Sequence, residues 1–258
     1  HVLVDKPLAA SASDARDVIA HARHRGVVLT VYQNRRWDGD FQTLRRLIEE
    51  DAIGQPFRFE SRFERWRPEI KPGWRQQPAP EEAGGVLFDL GSHLIDQARL
   101  LFGSVAQVYA ELERRNPASL VDDHSFVALT HASGVRSHLF MSTMTARPGP
   151  RFSVLGSKAG FVKYGLDPQE DALKAGAQPG GADWGVEAPV RWGQIGQVGR
   201  IKAVPTAPGA YQELYRQLPI AMRGDGPAPV DPADAAAALD VIEAAQRSHR
   251  EGRVREMC

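Results

Sequence analysis

Cysteine is almost missing: the 258-residue chain has one, Cys258, at its last position. A single thiol can neither close an intrachain disulfide nor supply a thiolate cluster, so a disulfide scaffold and a Cys-based metal site are both excluded. That usage suits a reducing compartment, and a cytoplasmic location is expected. Excess charge of either sign is also missing. Lys plus Arg number 32 and Asp plus Glu number 32, for a formal net charge of zero. The basic footprint needed to hold nucleic acid or an anionic membrane is therefore absent, and a small molecule is the expected partner. No apolar run reaches the roughly 18 to 20 residues that span a bilayer, and no basic segment followed by an apolar one opens the chain. What remains, 42% hydrophobic and 25% charged residues, is the balance of a globular chain with a core.

The opening reads H-V-L-V-D-K-P, in which Val2, Leu3 and Val4 suit a buried parallel strand that Pro7 stops. Ser11, Ser13 and Asp14 form a capping cluster ahead of Ala15, Val18, Ile19 and Ala22 at helical spacing, and Gly26 stands where a C-terminal cap wants it. Residues 27–31 are a second β-branched run, so residues 1–31 predict strand, helix and strand of a parallel sheet. One such unit cannot cover both faces of its sheet, and the expectation is that the sequence enters a domain part-way through.

From residue 32 the rhythm changes. Asp40 is expected to cap a helix with Phe41, Leu44, Leu47 and Ile48 on one face. Phe57, Phe59, Ser61 and Phe63 then alternate with Arg58, Glu60, Arg62 and Glu64, the mark of a strand with one wet face. Further strands are expected at 105–112, 125–130, 136–142, 152–155 and 161–164, several joined by short Gly-bearing turns, which predicts a mostly antiparallel sheet. Residues 167–209, dense in Gly, Pro and Ala, read as a long surface excursion. Its G-x-x-G-x-x-G string from Gly193 to Gly199 reads as loop. Residues 231–249 predict a last amphipathic helix carrying Leu239, Ile242 and Ala245.

Two places draw attention as chemistry. Asp89, His93 and Asp96 stand at i, i+4 and i+7, so on a regular helix they share a face. An imidazole beside a carboxylate can serve as a general base near neutral pH. The same spacing equally describes a capping Asp and a half-buried structural His. Lys6 lies just past a parallel strand, at the carboxyl end where open α/β sheets place ligands, or it is a plain exposed loop lysine. Ser92 and His93 are neighbours about 100° apart on a helix, which excludes a nucleophile–base pair. His21, His24, His124, His131 and His138 lack a defensible ligand geometry, so no metal is expected.

Taken in order, D-K-P after a strand, Y-Q-N-R-R-W-D, W-R and G-G-V-L-F-D-L-G-S-H-L-I-D resemble the Gfo/Idh/MocA family of nicotinamide-dependent oxidoreductases. The resemblance reaches the tail through Gly209-Ala210-Tyr211, Asp225-Gly226-Pro227 and the run from Val241 to Ala245. It implies an α/β fold: a remnant of a Rossmann parallel sheet in residues 1–31, then a substrate-binding and oligomerisation domain in residues 32–258 built on an open, mostly antiparallel sheet. It implies a cofactor, NAD or NADP, and a homo-oligomer formed through the open sheet. It implies that Lys6 hydrogen-bonds the reacting oxygen, that His93 is the general acid/base and that Asp89 assists them. Lys6, Pro7, Asn34, Arg35 and Trp37 would face the cofactor, and Trp74, Arg75 and Asp96 the substrate. Asp5 stands where the family more often has Glu, which preserves the charge.

The activity so implied is oxidation or reduction of a secondary alcohol or carbonyl on a sugar, polyol or related molecule. NAD-dependent glycoside hydrolysis and a non-catalytic dimerisation module are the alternatives. The family's Gly-rich phosphate turn has no counterpart before His1, so about 90 residues of sheet are expected to be absent. The chain as given is then expected to bind nucleotide poorly, with residues 1–31 its least stable part.

Overall fold

The computed structural model describes residues 1–181 and 183–257; Cys258, on which the thiol argument turns, lies outside them. The first strand, β1 (Val2–Asp5), pairs in parallel with β2 (Leu29–Tyr32), Val2 opposite Leu29 and Asp5 opposite Tyr32. Between them runs α1 (Ala12–His24), where the Ser11 hydroxyl accepts the Asp14 amide at 3.0 Å and Gly26 takes φ +62° beyond the last turn. The buried stripe of α1 is Ala12, Ala15, Ile19 and Ala22. Val18, expected on that stripe, is 43% exposed. Small alanines let α1 approach the Ala-rich α6 (Pro232–Glu251) closely, and the narrow contact leaves Val18 outside it.

The helix α2 (Gly39–Glu49) starts one residue before its expected cap. Asp38 holds the cap position, and Asp40 sits inside the first turn, its carboxylate accepting the Phe41 amide at 2.7 Å. Gly39 is required there, because a Cβ on it would lie 2.0 Å from the Ala207 carbonyl oxygen.

A nine-stranded sheet dominates the rest. Its strands are β3 (Pro56–Glu64), β4 (Val105–Glu113), β5 (His124–His131), β6 (Arg136–Ser142), β7 (Phe152–Gly156), β8 (Gly160–Lys163), β9 (Gly193–Gln197), β10 (Arg200–Val204) and β11 (Arg255–Glu256). Their order is β10-β9-β8-β7-β3-β6-β5-β4-β11. Every pairing is antiparallel save β3 with β6, where Phe59 stands opposite Ser137.

The string at 193–199 corrects the loop reading. It forms β9 and the turn of a hairpin with β10, extending the sheet beyond β8. Its glycines obscure the strand in sequence because they show no alternation. Gly193 lies under the Phe161 ring, where a Cβ would come within 2.5 Å of ring carbons. The surrounding excursion also contains α4 (Gln169–Lys174), and α5 (Gln212–Met222) follows it.

One face of the large sheet is covered by α3 (Ser92–Phe102) and α6. Phe59, Phe63, Val127, Leu139 and Met141 from the strands and Leu94, Ile95, Leu239 and Ile242 from the helices are all at most 2% exposed. Strand alternation puts Glu60, Arg62, Phe126, His138 and Phe140 on the other face. There the Phe126 and Phe140 rings stand 5.0 Å apart, with the Arg62 guanidinium 4.2 Å from the Phe140 ring. Among the described residues no helix is long and apolar enough to cross a membrane.

Candidate active site

The segment ahead of α3 is not a regular α-helix. Leu87–Gly91 forms a π-helical turn, and α3 begins only at Ser92. Asp122 fastens the start of this turn: its backbone carbonyl accepts the Val86 amide at 3.0 Å and its carboxylate accepts the Leu87 amide at 2.9 Å. A π turn closes on i→i+5 bonds and is wider than an α-helical turn, so Asp89 leaves the backbone in a different setting from the residues of the regular helix behind it. Asp89, His93 and Asp96 meet three different sets of partners, so the polar face expected from their spacing is divided among three local environments.

Asp89 turns toward β1. Lys6, at the end of that strand and joined to Pro7 by a cis peptide bond, donates from Nζ to Asp89 Oδ1 at 2.8 Å and also to the Asp89 carbonyl. Arg75 Nε lies 2.9 Å from Asp89 Oδ2. The Trp74 ring lies 4.6 Å from the Arg75 guanidinium and 6.0 Å from Lys6 Nζ. Lys6, Asp89, Trp74 and Arg75, separated by up to 83 positions in sequence, therefore meet in one place. A cleft of about 280 Å³ opens there, lined by Asp5, Lys6, Pro7, Trp74, Glu81 and Glu82.

The electrostatics follow from burial. The Lys6 side chain is 9% exposed and that of Asp89 18%. Burial drives the Lys6 ammonium below its ordinary range, while Asp89 pulls the other way. Burial alone would raise the Asp89 carboxyl, but the charges and hydrogen bonds of Lys6 and Arg75 outweigh it and hold Asp89 ionised below the usual carboxylate value.

His93, 7% exposed, lies in α3. Its Nδ1 is 2.9 Å from Gln33 Oε1, and its ring meets the Phe63 ring edge-on at 6.2 Å. Burial, joined by the positive charges of Lys6, Arg35, Arg151 and Arg65, holds it well below 6.5, so the imidazole is neutral at neutral pH. Nε2 has no hydrogen-bond partner among the described residues and is not sealed from solvent.

The remaining expected site residues separate into two groups. Trp74 and Arg75 line or border the cleft. Asp96, expected at the substrate, is 2% exposed and gives both oxygens to Arg36, at 2.8 and 2.6 Å. The carboxylate is thus spent on tying the 3-10 turn Asn34–Trp37 to α3. Arg35, expected at the cofactor, points inward: it bonds Tyr211 Oη at 2.7 Å and Glu170, and lies 3.5 Å from Asp38 Oδ1. Trp37 packs partly buried against the core, its carbonyl accepting from Ala210 and Gln169. Asn34 is half-buried in the same turn. Outside the site, His131 bonds the Gly103 carbonyl at 3.1 Å and Ser137 at 2.8 Å, as a core histidine with both nitrogens engaged.

Sequence reasoning missed Gln33, Asp38, Arg65, Arg151, Glu170 and Tyr211. Gln33 and Asp38 flank the Asn34–Trp37 stretch, so a polar residue directly after an apolar strand was the available signal for Gln33. Asp38 accepts Tyr211 Oη–H at 2.7 Å, and burial raises the pKa of both groups, Asp38 to about 8. Arg65, just beyond β3, lies 3.9 Å from Glu170 and adds a half-buried cation near Asp89 and His93.

Residues 45–257 match the family described as "Oxidoreductase family, C-terminal alpha/beta domain". The chain is similar to scyllo-inositol 2-dehydrogenase (NADP(+)) IolW of Bacillus subtilis (strain 168), with 33% identity over 257 residues, 98% of this chain and 71% of the relative. It is 38% identical over 247 residues to the uncharacterized oxidoreductase YdgJ of Escherichia coli (strain K12), covering 94% of this chain and 70% of the relative. The solved structure of yvaA from Bacillus subtilis superposes with a TM-score of 0.92 at 32% identity, over 100% of this chain and 74% of that one.

Proposed function

Because the chain belongs to the Gfo/Idh/MocA oxidoreductase family, we propose that it is the substrate-side portion of an NAD(P)-dependent enzyme acting on a secondary alcohol or carbonyl of a polyol or sugar. The observation that carries this reading is the charged Lys6–Asp89 pair beside a neutral, open-sided His93. Oxidising an alcohol requires a base for the hydroxyl proton and a cationic donor for the same oxygen, and these are the two groups present. The polyol class is supported by the similarity to the scyllo-inositol dehydrogenase.

The cleft at the end of β1 suits the nicotinamide end of such a cofactor: it offers a flat indole wall, a lysine and the backbone around Pro7. Lys6 and Pro7 would hold that end, whereas Arg35 is committed to Asp38, Tyr211 and Glu170. When bound, the nicotinamide supplies the two-electron redox partner. The chain's own residues do the rest. Asp89, itself held by Arg75, fixes Lys6 in place and favours its charged form, so that its ammonium can donate to the substrate oxygen. His93 takes the hydroxyl proton at Nε2 during oxidation and returns it during reduction. Because cations surround His93, the added proton is held weakly and passes on to solvent after each turnover.

Lys6→Met and His93→Asn in the full-length gene product, assayed on a panel of polyols with NAD+ and with NADP+, should each lower turnover by about 10² to 10⁴-fold. Circular dichroism should show the fold retained. Turnover close to wild type in either variant overturns the assignment.

A further inference from the structure

We propose that Gln33 is a positioning residue that sets which ring nitrogen of His93 carries the proton, and so makes Nε2 the basic atom. The inference rests on the reading of His93 as the base and names the group that prepares it.

The geometry is local and well braced. Gln33 follows β2 directly and is 3% exposed. Its amide donates to the Val31 carbonyl at 2.8 Å and its carbonyl accepts the Arg36 amide at 3.1 Å, so the backbone is pinned on both sides. The turn behind it is held in its own right, since the Arg35 carbonyl accepts Gln97 Nε2 at 2.8 Å and Gln97 Oε1 accepts Arg151 Nη2 at 2.7 Å. From that frame Gln33 Oε1 reaches His93 Nδ1 at 2.9 Å. A carboxamide oxygen only accepts, so Nδ1 must carry the hydrogen. In a neutral ring the lone pair then lies on Nε2, the nitrogen without a partner among the described residues. The edge-on Phe63 ring limits rotation of the imidazole.

The identity of the partner matters. A carboxylate in this place would orient the ring but also stabilise its protonated form, as the buried aspartate of a catalytic triad does. Here the nearby carboxylates are engaged elsewhere, Asp89 with Lys6 and Arg75 and Asp96 with Arg36. The charges that act most strongly on His93 are cations: Lys6 at the end of β1, Arg35 after β2, Arg65 after β3 and Arg151 before β7. An amide orients the imidazole without adding negative charge, so the base stays unprotonated and ready. Losing the amide should therefore not leave an imidazolium. It should let the ring proton move to Nε2, which disables the base while the ring remains neutral.

Full-length protein labelled with ¹⁵N-histidine gives a direct readout, because long-range ¹⁵N–¹H correlations distinguish the two tautomers. His93 is assigned by the signal lost in His93→Gln. The wild type should show the Nδ1–H form, and Gln33→Leu should show the Nε2–H form, with kcat lowered about 10- to 100-fold and KM little changed. Gln33→Glu should keep the Nδ1–H form and recover most of kcat at its optimum. Its acid limb should move to higher pH, since an anionic neighbour favours the imidazolium. An Nε2–H wild type, or a Gln33→Leu protein that keeps both the Nδ1–H form and full kcat, overturns the proposal. The spectrum judges Gln33 without reference to turnover, so a failure of His93 as the base, seen in His93→Asn, is separable from a failure of Gln33.

Discussion

Arg151 offers the sharpest test of how the site is supported. Its side chain is 1% exposed, one of the largest fully buried side chains in the protein. Nη1 donates to Ser61 Oγ at 2.5 Å and Nη2 to Gln97 Oε1 at 2.7 Å. Nε stands 3.7 Å from Asp40 Oδ2, and the guanidinium lies 4.0 Å from the Phe63 ring and 4.1 Å from the Phe152 ring. Arg151→Met keeps most of the aliphatic volume but strands the Asp40 carboxylate, itself 1% exposed, without its cation. Removing one partner of a buried ion pair costs about 3 to 5 kcal/mol, and the two orphaned hydrogen-bond groups push toward the upper end. Against a total stability of about 5 to 15 kcal/mol, this is a large fraction. With a urea slope of about 3 kcal/mol per molar, the unfolding midpoint should fall by about 1 M or more. Adding Asp40→Leu should recover much of the loss, because a matched apolar pair leaves no uncompensated charge. A midpoint within 0.2 M of wild type (about 0.6 kcal/mol at that slope) for Arg151→Met, or a double variant worse than the sum of the single ones, refutes the reasoning.

Two further predictions follow from groups that the structure reassigns. Burial pushes Asp38 up to about 8 from an ordinary 3.8, against the pull of Arg35, so the folded protein keeps a proton that the unfolded chain releases. The contribution of Asp38 to stability should fall as pH rises between about 4 and 8, while buried His93, held well below 6.5, contributes in the opposite sense up to about pH 6.5. Asp167, raised mainly by burial to about 6, adds to that slope in the lower half of the window. Asp38→Asn should flatten the melting temperature between pH 6 and 8 while leaving a slope below pH 6, and an unchanged slope above pH 6 refutes this. Asp96→Ala should lower stability by about 1.5 to 3 kcal/mol, because Arg36 loses two charged hydrogen bonds but keeps Asp234 at 2.9 Å, with KM for substrate unchanged in the folded fraction. A raised KM at wild-type stability would return Asp96 to the substrate site.

The sequence located most of the framework because its signals are local. The parallel start was legible from Val2–Asp5 and Leu29–Tyr32, which are short apolar runs on either side of a capped helix. Alternation at β3, β5 and β6 reported which residues face the helices, and the last helix was legible over 231–249; the structure starts it at Pro232, with Asp231 as its cap accepting the Ala233 amide at 2.9 Å. The hairpin β9–β10 was not legible, because a strand of Gly and Gln has no periodicity and exists by pairing with β8. Asp40 was misplaced as a cap because Asp38, two residues earlier, is the same residue type; the helix starts at Gly39, where the close Ala207 backbone leaves no room for a Cβ.

For the site, the sequence by itself determined the inventory of reactive groups: Lys6 after a strand, Asp89 and His93 along a helical segment, and Trp74 and Arg75. Only the tertiary structure decided which of them act together. The reason is physical. Spacing groups Asp89, in the π turn Leu87–Gly91, with His93 and Asp96, in the regular helix that follows, but it does not say what each side chain will meet. Long-range packing then supplies each with a partner from elsewhere: Lys6 for Asp89, 83 residues away, and Gln33 for His93 and Arg36 for Asp96, each 60 residues away. A repeating pattern can report the face on which a side chain lies, but the charge and hydrogen-bonding group that meet it come from another part of the chain. Those contacts decide whether a carboxylate is a brace or a site, and whether an imidazole is neutral.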